Sequence, residues 1–254
     1  MSETPRLKSA SFSRWENFVD CPYKAWLAYG EKIPEPTDPD APETPGERGN
    51  RIHEQAEAFV RGKGPLPNEA KDFKLPLTHL KNICKGNPES IVMEQMWNFD
   101  DDWLPLPGDL KPGDPLWEKI WLRAKLDVFV RLSPEVAVVV DYKSGKRWGK
   151  EIQHESQAQV YAVSAFRRFP ELRTVWAEFW YFGKDLLHRT QYRWPGANRH
   201  LQSWKKRLGS VTSATRFPKT PSRRACFFCP FKSGTIGKYG LDGTGSCSGN
   251  LGVN

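Results

Sequence analysis

The chain has 254 residues, 38 Lys and Arg against 30 Asp and Glu, and a formal net charge of +8. That balance favours a polyanionic partner, and the length admits one large domain or two small ones; one is expected, because no long linker divides the middle. No apolar run approaches a membrane span and MSETPRLKSASFSRWENF lacks the apolar core of a secretory signal, which argues against a membrane role and predicts a cytoplasmic location.

SRWENFVDCPYKAWLAYG, residues 13–30, mixes aromatic and polar residues at helical spacing, and Pro22 marks the start of a second short helix within it. Residues 31–46 are a proline-rich, acidic loop. ERGNRIHEQAEAFVRG, 47–62, reads as a helix with an apolar stripe of Ile52, Ala56, Phe59 and Val60, ended by Gly62. Residues 62–90 read as irregular and SIVMEQMW, 90–97, as a strand. An Asp- and Pro-rich loop over 98–118 precedes a long strand, KIWLRAKLDVFVRL, 119–132. Ser133-Pro134-Glu135 makes a turn and VAVVVDYKS returns as a strand. A helix near 153–169, strands at 173–183 and 187–194, and a helix carrying Trp204 follow. The glycine-rich end closes the chain.

The hairpin carries the first chemical question. A strand built to be buried, Val136 to Val140, runs into Asp141 and Lys143, which share a face because side chains alternate. With the turn centred on Pro134, Asp127 lies opposite Asp141 and Lys125 opposite Lys143. Leu126, Val128 and Val130 then share an apolar face with Val138, Val140 and Tyr142. Carboxylates facing each other across an antiparallel pair have Cβ atoms about 5 Å apart and repel. A divalent cation turns that repulsion into chelation. The alternative is a hairpin end in water, with Lys125 and Lys143 neutralising the acids.

Other residues fall in order around it. GNRIH places Gly49 and His53 on the helix, and Glu94 lies in the strand SIVMEQMW. AKLD spans Ala124 to Asp127, and DYK spans Asp141 to Lys143. QAQVY places Gln157 and Tyr161 at neighbouring helical positions. This ordered set resembles the RecB-like branch of the PD-(D/E)XK nucleases, which includes phage exonucleases and the RecB-type nuclease of CRISPR adaptation. The family pattern is Gly-x-x-x-His, an acid on a strand, Gly-x-x-Asp, (Asp/Glu)-x-Lys after a hairpin, then Gln-x-x-x-Tyr. Ala124 stands where the family has glycine. The match covers roughly residues 11–183.

The resemblance implies an α/β fold, a restriction-endonuclease-like core with a mixed central sheet flanked by helices. It also implies a metal-dependent DNA exonuclease of phage or bacterial recombination, in the host cytoplasm if phage-encoded. Such an enzyme can hand single strands to an annealing protein. A structure-selective or spacer-processing endonuclease and a non-catalytic DNA-binding protein on the same fold are the alternatives. In this reading Asp127, Asp141 and His53 bind Mg²⁺ or Mn²⁺, with the Tyr142 carbonyl completing the protein's share; imidazole favours the later metal. Lys143 positions the attacking water and offsets charge. Glu94 orients a ligand or reaches the metal through water, and Gln157 and Tyr161 hold the DNA backbone or support Lys143. Arg48, Arg51, Lys146, Arg147 and Lys150 flank the site and suit phosphates. Trp148, in the basic loop SGKRWGK, suits base stacking, whereas most of the eleven tryptophans suit packing.

Five cysteines in this context do not suggest a disulfide framework. Cys226-Phe-Phe-Cys229 by itself suggests zinc, iron–sulfur or redox chemistry. Some RecB-like nucleases hold a [4Fe–4S] cluster with one cysteine before the histidine motif and three near the C-terminus. By that resemblance Cys21, Cys226, Cys229 and Cys247 are the ligands, although Cys247 follows at an atypically long interval. Zinc at the same residues, or no metal at all, are the alternatives, and Cys84 stands outside the set. The expected role is a staple between the chain ends. The expected layout is a nuclease core over about 11–195 and a Cys/Gly-rich segment over about 196–254.

Overall fold

The computed structural model describes residues 6–36, 43–145, 151–184, 186–227 and 229–233, together with 235–236, 241–242, 245 and 247. Lys146, Arg147, Trp148 and Lys150 lie outside these, so the candidate phosphate- and base-binding loop is not placed. The chain divides into two compact units, Pro45–Lys205, and Met1–Thr44 with Lys206–Asn254.

The larger unit is built on a six-stranded mixed sheet in the order β2-β1-β3-β4-β5-β6. The strands are β1 Ile91–Phe99, β2 Pro105–Leu106, β3 Leu122–Arg131, β4 Val136–Lys143, β5 Thr174–Tyr181 and β6 Leu186–Arg193. Neighbours run antiparallel except β4 and β5, which are parallel. Parallel strands need a crossover, and helix α5, Glu151–Arg168, lies in the connection. Val128 pairs with Val140 and Arg131 with Ala137, the register expected from a turn at Pro134.

One face of the sheet packs on α3, Pro45–Val60, and α4, Lys74–Gly86. Ile52, Ala56 and Val60 meet Leu77, Leu80, Val128, Val130, Val140 and Tyr142 there, so the apolar hairpin face does enter the core. Phe129 and Val139, on the other face, are buried too. Phe129 stacks on Phe169 at 5.0 Å and meets Trp97 edge-on, on the side that α5 covers. Burial on both faces explains the near-continuous valine run of β4.

Helix α4 departs from the expected irregular stretch. Its lysines and Asn82 mask a short stripe of Leu77, Leu80, Ile83 and Cys84, all packed on the core. Pro76 is tolerated because it falls in the first turn, where its missing N–H has no partner to lose. Cys84 is thereby accounted for as a packing residue. Helix α3 ends as expected at Gly62, whose φ of +74° suits glycine. Lys63 N–H bonds to the Ala58 carbonyl and Gly62 N–H to that of Phe59, which closes the helix in a Schellman motif.

The smaller unit joins the two ends of the chain. Helices α1, Phe12–Asp20, and α2, Pro22–Tyr29, flank Cys21. The ring of Phe217 stacks on Trp26 at 4.9 Å, and Tyr23 N–H donates to the Pro218 carbonyl at 3.2 Å. Helix α6, Asn198–Thr212, leads into this unit, followed by α7, Arg223–Phe227, and the short strands β7, Thr235–Ile236, and β8, Leu241–Asp242. No helix among the described residues is long and apolar enough to cross a membrane.

Candidate active site

The carboxylates at the end of the hairpin have not reached solvent: Asp127 is 8 % exposed and Asp141 5 %. The ladder between β3 and β4 stops at Val128 and Val140. Beyond it the Asp127 side chain takes the place of a backbone acceptor, and Tyr142 N–H donates to Asp127 Oδ2 at 2.7 Å. The two aspartates therefore do not form a simple cross-strand pair. Each has its own set of partners.

Asp127 belongs to a cluster with His53 of α3 and Glu94 of β1. One ligand atom from each of the three lies within 4.8 Å of the others. His53 Nδ1 is 3.3 Å from Asp127 Oδ1 and 3.8 Å from Glu94 Oε1. On the far side of the ring, His53 Nε2 is 3.1 Å from the Tyr142 carbonyl. A carbonyl only accepts, so Nε2 carries a proton; Nδ1 donates to Asp127 when the ring is protonated and turns a free lone pair toward the cluster when it is neutral. Glu94 is held in the left-handed region at φ +50°, strained backbone for a residue with a side chain. Its register places it across from Asp127, since Met93 pairs with Val128 and Gln95 with Leu126. Lys125 Nζ reaches Glu94 Oε2 at 2.6 Å rather than the aspartates. Glu94 Oε1 is buried with no hydrogen-bond partner.

Asp141 lies against α5. Tyr161 donates its hydroxyl proton to Asp141 Oδ1 at 2.8 Å, and Gln157 Nε2 donates to the same oxygen at 3.3 Å. Lys143 Nζ is 2.6 Å from Asp141 Oδ2 and donates to Gln157 Oε1 at 2.9 Å. The helical pair Gln157 and Tyr161 thus fixes both the acid and the lysine of the DYK motif.

Burial, and then the charge of Asp141, push the Asp127 carboxyl above its ordinary range, against the opposing pull of His53 and the Tyr142 N–H. Burial pulls the His53 imidazole down, but its bond to Asp127 and the charges of Asp127, Asp141 and Glu94 outweigh that and hold it above its ordinary value. The His53 shift reflects the negative charge gathered around its ring. An orphaned carboxylate oxygen, a second carboxylate and an imidazole nitrogen directed at both are a donor set that suits Mg²⁺ or Mn²⁺.

The remaining candidates separate. Arg51 is engaged by Glu69, with Nη2 3.0 Å from Oε1, whereas Arg48 is exposed. In the smaller unit Cys21, Cys226, Cys229 and Cys247 are all unbridged and line one cavity of about 240 Å³, together with Lys24, Lys219 and Lys232. The long interval before Cys247 is closed by the chain itself. Cys247 N–H donates to the Phe231 carbonyl at 2.7 Å, and Ser233 N–H to the Cys247 carbonyl at 2.9 Å. Phe179 of β5 is what sequence reasoning passes over. It lies in an aromatic-rich strand, with no spacing that sets it apart.

No curated protein matches the chain. Among solved structures it is similar to SSO0001, with 13 % identity over 90 % of this chain and 84 % of that one, at a TM-score of 0.42. It is also similar to a candidate exonuclease from Eubacterium rectale, with 10 % identity over 84 % of each chain and a TM-score of 0.44. The family model of the PD-(D/E)XK nuclease superfamily matches residues 9–233. That match takes in every strand and helix that carries the buried acids, Lys143 and the Gln157–Tyr161 pair, and by it the chain belongs to the PD-(D/E)XK nuclease superfamily.

Proposed function

We propose that this protein is a metal-dependent deoxyribonuclease of the RecB-like branch, acting as an exonuclease. The observation that carries the reading is the half-buried cluster of His53, Glu94 and Asp127 beside a lysine fixed by Asp141 and Gln157. His53, Glu94 and Asp127 would hold the cation, with Asp141 beside them; the Tyr142 carbonyl, expected as a ligand, instead accepts from His53 Nε2 on the far side of the ring. A divalent ion there supplies Lewis acidity, withdrawing charge from the phosphate and acidifying water. Lys143 keeps a positive charge where negative charge develops in the transition state. Gln157 and Tyr161 hold Lys143 and Asp141 in place and leave them little reorganisation to make. The net charge of +8 supports a nucleic-acid substrate. The exonuclease form follows the likeness of the motif order to phage exonucleases.

The test is a linear duplex labelled separately at each end, incubated with EDTA, Mg²⁺ or Mn²⁺ beside a closed circle and the Asp141→Ala variant. Progressive loss of the linear substrate, dependent on metal and on Asp141 with the circle intact, is expected. Nicking of the circle replaces the exonuclease with an endonuclease. Folded protein that binds DNA and cleaves nothing with either metal makes it a binding protein.

The shared thiol cavity favours a second group in the same chain, a [4Fe–4S] cluster on Cys21, Cys226, Cys229 and Cys247 that ties the two chain ends together. Protein purified without oxygen is expected to be brown, with broad visible absorption that Cys247→Ser diminishes. Colourless, iron-free protein from that preparation rejects the cluster.

A further inference from the structure

We propose that Phe179 is a positioning residue for Lys143, holding its ammonium group against the face of the aromatic ring; this rests on the reading of Lys143 as the catalytic lysine. Lys143 Nζ stands over the Phe179 ring, 5.3 Å from its centroid, within the range where a ring quadrupole attracts a cation. The placement follows from the sheet. Phe179 is the β5 partner of Asp141 in the parallel pair. Lys143 is two residues beyond Asp141 and shares its face, so the ring comes up beside the lysine stem.

The ring is itself held. Phe179 is 1 % exposed. The imidazole of His154 stacks on it at 5.2 Å with 24° between planes, and His188 lies at 6.4 Å and 22°. His154 in turn bonds to the Tyr181 hydroxyl. A ring fixed in this way is a preorganised platform and not a rotating neighbour.

The other two partners of Lys143 hold it less independently. Asp141 already accepts from Tyr161 and Gln157, and it must share its charge with any cation bound beside Asp127. Gln157 is a neutral acceptor. The π face of Phe179 is not drawn on by a cation bound among carboxylates, so it restrains the ammonium in the loaded site as well as in the empty one.

Replacing Phe179 with mono-, di- and trifluorinated phenylalanine keeps the shape of the ring while draining its π face. The single-turnover cleavage rate of a linear duplex is expected to fall stepwise, about threefold to thirtyfold at the trifluorinated ring. The KM for DNA and the thermal shift on adding Mn²⁺ stay unchanged. The ε-methylene protons of Lys143 carry an upfield ring-current shift that Phe179→Leu abolishes, a readout independent of cleavage. A flat rate series in an enzyme that still depends on Lys143, or an unshifted ε-methylene signal, overturns the inference alone. Cleavage indifferent to Lys143→Met overturns the reading beneath it.

Discussion

Asp127→Asn is expected to leave the metal-free protein more stable than the parent while cleavage falls at least about a thousandfold. Asparagine is close to isosteric. Its carbonyl can still accept the Tyr142 N–H that Asp127 Oδ2 accepts at 2.7 Å, and its amide can face His53. What disappears is a buried negative charge next to Asp141. The folded state raises the pKa of Asp127, so folding binds its proton more tightly than the unfolded chain does. The charge then costs stability above the unfolded carboxylate value, near 3.9, and costs nothing well below it. The stability gain of the variant should therefore grow from acid to neutral pH. The gain should be fullest once His53 has lost its proton and no longer attracts Asp127, which its raised pKa places above the ordinary imidazole value. Thermal unfolding with EDTA, and again with Mn²⁺, checks both halves. The parent should gain about 5 °C or more at saturating metal and the variant little. A variant that melts lower without metal, or that responds to Mn²⁺ like the parent, removes Asp127 from the cation site.

Lys143→Met should lower the cleavage rate about a hundredfold to a thousandfold without altering the thermal shift on metal. Methionine keeps much of the stem and removes the ammonium that lies 2.6 Å from Asp141. Asp141 retains the Tyr161 hydroxyl and the Gln157 amide as donors, so the fold is expected to persist. The loss should appear in kcat, because the charge is needed where negative charge develops and not to bind the cation. Equal loss of metal response and activity would make Lys143 a structural counter-ion of Asp141.

Much of this arrangement was legible along the chain. The strands around Pro134 declare themselves by valine content, and their register follows from a short turn, because alternation at a period of two is a local property. The same local geometry puts Gln157 and Tyr161 on one side of a helix and Asp141 and Lys143 on one side of a strand. Helix α4 was not legible, because its apolar stripe is short and set among lysines and asparagine, and packing against β1 and β3 is what makes it worth forming.

The partners of the charges were decided only in three dimensions. The sequence offers Lys125 as a counter-charge to the hairpin aspartates, yet Lys125 goes to Glu94, and Arg51 is claimed by Glu69. Sequence spacing also sets Cys247 apart, yet the backbone bonds to Phe231 and Ser233 bring it into the cavity of the other three cysteines. Phe179 becomes distinctive only once β5 lies parallel to β4 and its ring comes beside Lys143. Residue types and their order determined most of the secondary elements, the family resemblance and the identity of the acids, since these depend on neighbours a few residues apart. Which charge meets which, and which ring faces a cation, depends on strands and helices from distant parts of the chain being packed together, and that information exists only in the folded molecule.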